Sequence, residues 1–245
     1  MNKDLAHQTA LVTGATAGIG RATALALAER GADVIVHGRD RERAADTLDR
    51  IHRLGGTARF EPADLSNPSE VTRLAERTGD VDILVNNAGI FRFARTADTD
   101  QVTFDAHIDI NLRAPYLLVQ ALAPGMAQRG RGAIVSISSG AAATPGLGTG
   151  IYGATKAALE SLTRVWAAEF GPAGVRVNAV AAGPTRTDGT AAYGDAFEAA
   201  GKAVALQRLA DAEEIAGAVV FLASSAAGYV NGHTLGATGG MPALG

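Results

Sequence analysis

Apolar residues in this chain come in short unbroken runs, separated by longer stretches in which they recur every three or four positions. The runs are TALVTG (9–14), DVIVHG (33–38), ARFEPAD (58–64), VDILVNNAG (81–89), GAIVSISS (132–139), VRVNAVAAG (175–183) and GHTLGATGG (232–240). Apolar runs of this length, bounded by Gly, Pro or Asp, predict strands covered on both faces. The periodic stretches between them predict helices over 20–31, 41–56, 68–79, 101–129, 152–170 and 212–224. Gly31 and the pair Gly55-Gly56 end the first two, where a left-handed cap residue is expected.

Buried strands alternating with helices predict an α/β chain. The expected fold is a single-domain doubly wound Rossmann-type sheet of about seven parallel strands with helices on both faces. No Pro/Ser-rich linker or charge block divides the 245 residues, so all of 1–245 are expected in one domain. Ligands of such sheets bind beyond the carboxyl ends of the strands, where the strand order reverses. The residues that follow each strand are therefore the ones to read for chemistry.

Composition narrows that chemistry. The formal net charge is −3, without the basic footprint of a nucleic-acid binder. There is no cysteine, hence no disulfide and no thiolate nucleophile. His7, His37, His52, His107 and His233 lie far apart with no metal-binding spacing, so no metal is expected. No apolar stretch is long enough to span a membrane, and the apolar stretch before Gly14 is too short for a secretory signal. A cytoplasmic protein with neither membrane nor nucleic-acid partners is expected.

Gly14, Gly18 and Gly20 fall in TGATAGIG between the first strand and the first helix. Glycine allows a tight turn there and lets a pyrophosphate approach the backbone, while the helix N-terminus offers N–H donors and a positive dipole end. After the second strand comes HGRD. His37 cannot serve as the acid that bonds ribose hydroxyls in NAD sites, whereas Arg39 can grip a 2′-phosphate through its planar fork. Asp40 is the competing partner for the ribose.

Lysine is rare, with Lys3, Lys156 and Lys202 against 19 arginines. Tyr152 and Lys156 are four apart and share one helix face. A nearby ammonium favours the phenolate and lowers the tyrosine pKa from about 10, towards the range where a general acid/base works best. Ser138 and Ser139 end the fifth strand, and alternation allows only one of them to face the site.

The glycine spacing, NNAG (86–89), Asn111, SISS (136–139) and YGATK (152–156) occur in the order of the short-chain dehydrogenase/reductase family, which this chain resembles over nearly its full length. The resemblance implies hydride transfer between a nicotinamide and a carbonyl carbon. Asn111, Ser139, Tyr152 and Lys156 would be the catalytic residues. Ser139 would hold the carbonyl oxygen, Tyr152 would exchange the proton, Lys156 would tune it and bond the ribose, and Asn111 would hold a water in a relay to the lysine. The cofactor would lie on Gly14, Thr16, Gly18, Ile19, Gly20, Arg39, Asp64, Leu65, Asn87, Ala88, Gly89, Tyr152, Lys156, Gly183, Thr185 and Thr187, with Asp64 bonding the adenine. The pair Gly38-Arg39 resembles NADP-preferring members, so NADPH is the expected cofactor and NADH the alternative. Two family positions differ: Ala182 stands where the pattern has proline, and Thr238 where it has aspartate.

The expected substrate walls are Phe93, Leu147, Ile151, Tyr193 and Phe197, with 184–205 as a lid hinged at Gly189, Gly194 and Gly201. The pattern is similar to 3-oxoacyl-carrier-protein reductases, implying reduction of a 3-oxoacyl thioester or related ketone. The alternative is NAD-dependent oxidation of a secondary alcohol, polyol or sugar. An acidic carrier protein would need a basic patch, to which Arg129 and Arg131 could contribute and Ala173 could not. The resemblance also implies a homotetramer, with the helices in 101–129 and 152–170 packing across a dimer interface.

Overall fold

The computed structural model describes residues 3–241, leaving residues 1–2 and 242–245 of the expected domain outside the description. Seven strands form one sheet: β1 (Thr9–Val12), β2 (Asp33–Gly38), β3 (Ala58–Pro62), β4 (Ile83–Asn86), β5 (Gly132–Ser139), β6 (Val175–Ala182) and β9 (Thr234–Ala237). Their order is β3-β2-β1-β4-β5-β6-β9 and every pairing is parallel. Two-residue strands β7 (Thr185–Arg186) and β8 (Ala210–Asp211) pair apart from it.

Adjacent apolar residues within a strand serve opposite faces. Leu11, Ile35, Leu84 and Ile134 join one core; Val12, Val36, Val85 and Val135 join the other. Continuous rather than alternating apolar sequence follows directly from a sheet buried on both sides. The first core is closed by α3 (Pro68–Thr78), α5 (Ala114–Gln128) and α6 (Gly150–Phe170) through Leu74, Leu118, Met126, Leu159 and Trp166. The second is closed by α1 (Gly18–Glu29), α2 (Arg41–Arg53) and α8 (Ala212–Ala223) through Leu27, Ile51, Ile215 and Val219. No helix among the described residues is long and apolar enough to cross a membrane.

The chain runs β1 to β3 in one direction across the sheet and then crosses to β4 on the other side of β1. The carboxyl ends of β1 and β4 thus form the switch point, where a crevice opens between diverging connections. The glycine turn and the NNAG segment both emerge there.

Two stretches differ from the expected elements. The single helix expected over 101–129 is α4 (Gln101–Ile108) and α5 joined without a break by a π-helical turn (Asp109–Arg113) centred on Asn111. The loop-rich lid expected over 184–205 contains β7 and a regular helix, α7 (Gly194–Ala203). Gly201 is not a free hinge, because a β-carbon on it would lie 2.8 Å from both the side chain and the backbone N of Leu209.

Candidate active site

The glycine turn is held by side chains from three strands. Gly14 has φ +65°, a left-handed conformation, and a β-carbon on Gly20 would sit 2.2 Å from the Gly14 carbonyl oxygen. Thr13 Oγ1 accepts from the N–H groups of Asn87 and Ala88, both at 3.0 Å. Asn87 Nδ2 donates to the carbonyls of Thr13 (2.8 Å) and Gly14 (3.3 Å). The Gly14 N–H donates to His37 Nδ1 at 3.2 Å, so the ring proton resides on Nε2, which donates to the Ala63 carbonyl at 3.2 Å. Burial pushes the His37 pKa down to about 4 and keeps the ring neutral. Sequence reasoning read His37 only as a missing acid; its bracing of the turn across 23 residues left no sequence signal.

Helix α1 opens with neither a capping side chain nor an acid in its first turn. Its N-terminal N–H groups therefore face the cavity with nothing of the protein's own charge against them, as an anion site requires. The cavity beside them has a volume of about 1370 Å³, more than the roughly 300–1,000 Å³ of a pocket for one small ligand. A bare turn, a free helix terminus and this volume fit a dinucleotide with a substrate at its end. Thr16, Ile19, Leu65, Gly183, Thr185 and Thr187 also line it.

At one end of the cavity, Asp40 caps α2, its carboxylate accepting from the N–H groups of Glu42 and Arg43 at 2.8 and 3.3 Å. That employment draws Asp40 away from a ribose. Arg39 lines the cavity, is exposed, and has no ion-pair partner among the described residues. Asp64 lines the same end; the Ser66 N–H and hydroxyl, at 3.0 and 2.8 Å, hold its carboxyl below the usual range.

At the other end stand Ser139, Tyr152 and Lys156. Ser138 turns away, donating to Glu160 Oε1 at 2.6 Å, while the Ser139 hydroxyl stands beside the Tyr152 phenol and accepts from the Ala141 N–H at 3.2 Å. Lys156 is buried beneath them, its Nζ donating to the Ile137 carbonyl at 2.8 Å and lying 5.9 Å from the Tyr152 ring centre. Burial pushes this lysine down from 10.5 to about 8.

The phenol corrects one expectation. The spacing of Tyr152 and Lys156 implied a lowered tyrosine pKa, yet the phenol is raised, because burial outweighs the Ser139 hydroxyl beside it. The lysine's ammonium is turned onto Ile137 rather than onto the phenol. Asn111 is held by three hydrogen bonds. Its Oδ1 accepts from the Ile90 N–H at 2.8 Å and its Nδ2 donates to the Ile90 carbonyl at 2.9 Å and to Thr155 Oγ1 at 3.3 Å. The amide clamps the loop after β4, with one lone pair of Oδ1 still free to accept. Asn111 Oδ1 and Lys156 Nζ both border Gly89, each 3.3 Å from where a β-carbon there would stand.

Phe93, Tyr193 and Phe197 line the cavity beside Tyr152, and Phe91, which was not singled out from the sequence, joins them. Leu147 does not, being 95% exposed outside the cavity. Ile151 is also outside it, since one residue along α6 turns a side chain about 100° from its neighbour Tyr152. His107, one turn before Asn111, accepts from the Arg92 N–H at 3.2 Å and donates from Nδ1 to the Thr103 carbonyl at 2.8 Å. Arg129 and Arg131, the residues that could contribute to a basic patch for a carrier, pair with Asp80 (2.7 Å) and Asp82 (3.3 Å) at the amino end of β5, the opposite end of the sheet from the cavity.

Comparison with known proteins agrees with this geometry. A family model described as enoyl-(acyl carrier protein) reductase matches residues 14–242. The 3-oxoacyl-[acyl-carrier-protein] reductase of Synechocystis sp. is 39% identical over 243 residues, covering 97% of this chain and 98% of that protein. A solved short chain dehydrogenase/reductase family protein is 50% identical with a TM-score of 0.91, covering 97% of this chain and 98% of the other. A solved 3-oxoacyl (acyl-carrier-protein) reductase from Agrobacterium tumefaciens C58, with NADP bound, is 35% identical with a TM-score of 0.93 over 97% of this chain and 95% of that one.

Proposed function

The chain belongs to the short-chain dehydrogenase/reductase family, and on that premise we propose that it reduces a ketone to a secondary alcohol with NADPH, Tyr152 being the acid/base. It is an NAD(P)-dependent oxidoreductase acting on alcohol or ketone groups. The observation that carries the finer statement is the meeting of Ser139, Tyr152 and Lys156 at the end of a cavity whose far end is the bare glycine turn and the unpaired Arg39.

A nicotinamide cofactor, when bound, supplies the hydride. Thr16, Gly18, Ile19, Gly20, Asp64, Leu65, Asn87, Ala88, Gly89, Gly183, Thr185 and Thr187 would hold it. The Ser139 hydroxyl and the Tyr152 phenol present two donors to a carbonyl oxygen, where charge develops as the carbon is reduced. Tyr152 then gives up its proton to that oxygen. Its raised pKa suits the acid role, because the phenol stays protonated at neutral pH. Lys156 keeps a positive charge buried below the phenol, and Asn111 keeps the loop at Ile90 closed over that charge. The substrate proposed from the relatives is a 3-oxoacyl thioester or a related carbonyl.

Arg39 supports NADPH over NADH, since Asp40 is committed to its helix cap. Steady-state kcat/KM for both cofactors with one ketone tests this. NADPH should be preferred, and Arg39→Ala should erode that preference about 10- to 100-fold, the value of a hydrogen bond to a charged group. A native preference for NADH would refute it. We extend the proposal to a homotetramer, because Val102, Phe104, Tyr116 and Val165 are exposed on α4, α5 and α6. Light scattering at the mass of one chain would refute that part.

A further inference from the structure

The chain has few aromatic residues, 7 Phe, 4 Tyr and 1 Trp. Five of these twelve, Phe91, Phe93, Tyr152, Tyr193 and Phe197, stand around one end of one cavity. Phe93 lies 5.9 Å from Tyr152 and 5.6 Å from Tyr193; Phe91 lies 5.9 Å from Tyr193; Tyr193 lies 6.3 Å from Phe197. All these pairs are tilted or edge-on, with interplanar angles of 35–78°. The rings pack on one another at these angles and present one continuous aromatic wall to the cavity.

The wall is built, not incidental. Asn111 and His107, one helical turn apart, take the N–H groups of Ile90 and Arg92. With those two residues tied to the helix, Phe91 and Phe93 turn the other way, into the cavity. Tyr193 in turn donates from its hydroxyl to the Phe91 carbonyl at 2.9 Å, tying the entry to α7 back onto the same loop. Yet Phe93 and Tyr193 remain 43% and 37% exposed. Three polar contacts are thus spent on holding aromatic surface against the space in front of Tyr152. No Asp, Glu, Asn or Gln lines that half of the cavity.

We propose that the substrate is a planar ring ketone, one or two fused rings wide, laid against the wall that Phe93 and Tyr193 form together, with its carbonyl at Tyr152. This rests on the reductase function proposed above and names its substrate class. Rings prefer tilted and offset contacts with rings, worth more than their buried area alone. A polyol would find the hydroxyls of Ser139, Thr144 and Thr149 but would set others against the aromatic wall without partners, which a site discriminates against. Arg129 and Arg131 offer an acidic carrier no docking cations at the cavity, since they lie at the other end of the sheet paired with Asp80 and Asp82.

The test compares 2-tetralone with the acetoacetyl thioester of N-acetylcysteamine by NADPH absorbance. Alongside it, binding of 2-naphthol, a planar ring that cannot be reduced, is titrated into the NADP⁺ complex. The ring ketone should have the higher kcat/KM. The ratio of the two kcat/KM values should fall about 3- to 10-fold in Phe93→Leu and in Tyr193→Leu, the range expected for one aromatic contact, and 2-naphthol should weaken in parallel. Higher kcat/KM for the thioester, with a ratio unmoved by either variant, would overturn the ring-ketone proposal and leave the reductase standing. Tight, ring-dependent 2-naphthol binding with no turnover of any carbonyl would keep the ligand class and overturn the reductase.

Discussion

Lys156 is a cation in a place that disfavours cations, and replacing it with methionine measures how much. The side chain is 4% exposed and its ammonium has one hydrogen bond, to the Ile137 carbonyl. Its pKa falls from 10.5 to about 8, which at about 1.4 kcal/mol per pKa step is a penalty of about 3 kcal/mol on the charged folded state. Between these two values the unfolded chain holds the proton that the folded chain has lost. Stability from this group therefore rises with pH across that window and is at its lowest below about pH 8. Methionine keeps the stem and removes the charge. It also gives up the Ile137 hydrogen bond, worth about 1 kcal/mol. The balance is a gain of about 2 kcal/mol at pH 7, or about 4–8 °C in Tm for a chain of this size. Thermal melts of cofactor-free wild type and Lys156→Met at pH 7 and pH 10 test it: the variant should melt higher at pH 7, with the gap narrowing at pH 10, while its activity is lost. A variant that melts at or below wild type at pH 7, or a gap indifferent to pH, refutes the reasoning.

Other outcomes follow from the same site. Tyr152→Phe removes the proton donor and leaves the ring, so kcat should fall about 10²- to 10⁴-fold while NADPH binding, followed by fluorescence titration, changes little. His37 is neutral in the fold with a pKa of about 4 against an ordinary 6.5, so the unfolded chain binds the extra proton between these values. Wild-type stability should therefore decline by about 3 kcal/mol as pH falls from 6.5 to 4, and His37→Asn should flatten that part of a urea-denaturation series. Gly20→Ala places a methyl 2.2 Å from the Gly14 carbonyl; calorimetric titration should show NADPH binding severely weakened, and unchanged affinity would contradict the close packing of the turn.

The sheet was legible because burial on both faces leaves continuous apolar runs, and Leu11-Val12 or Ile134-Val135 need no long-range knowledge to be read as core. Strand alternation showed that only one of Ser138 and Ser139 could face the site, and the family resemblance chose Ser139. What the sequence hid is three-dimensional. Nothing near His37 tells that its ring braces Gly14, and nothing near Asn111 tells that Ile90 is waiting for its amide. Proximity along α6 suggested that Lys156 and Ile151 both act at Tyr152. The ammonium instead turned to β5, and one residue of helical rotation took Ile151 out of the cavity. Leu147 was chosen for being apolar near the site, a criterion that cannot tell a wall from a loop tip. Phe91 was within reach: its alternation with Phe93 was there to be read.

The π-helical turn at Asp109–Arg113 sets a bound on what inheritance can alter here. It takes in one residue more than an α-helical turn, and each residue is worth about 100° of rotation. His107 just before it and Asn111 at its centre look toward the loop after β4; beyond it, Leu118, Leu122 and Met126 look into the core. Loss of a single codon between 110 and 113 would restore a regular helix and swing one set or the other away from its partners. Many amino acids could be exchanged along this segment at modest cost. Its length is the heritable trait that the site and the core both depend on.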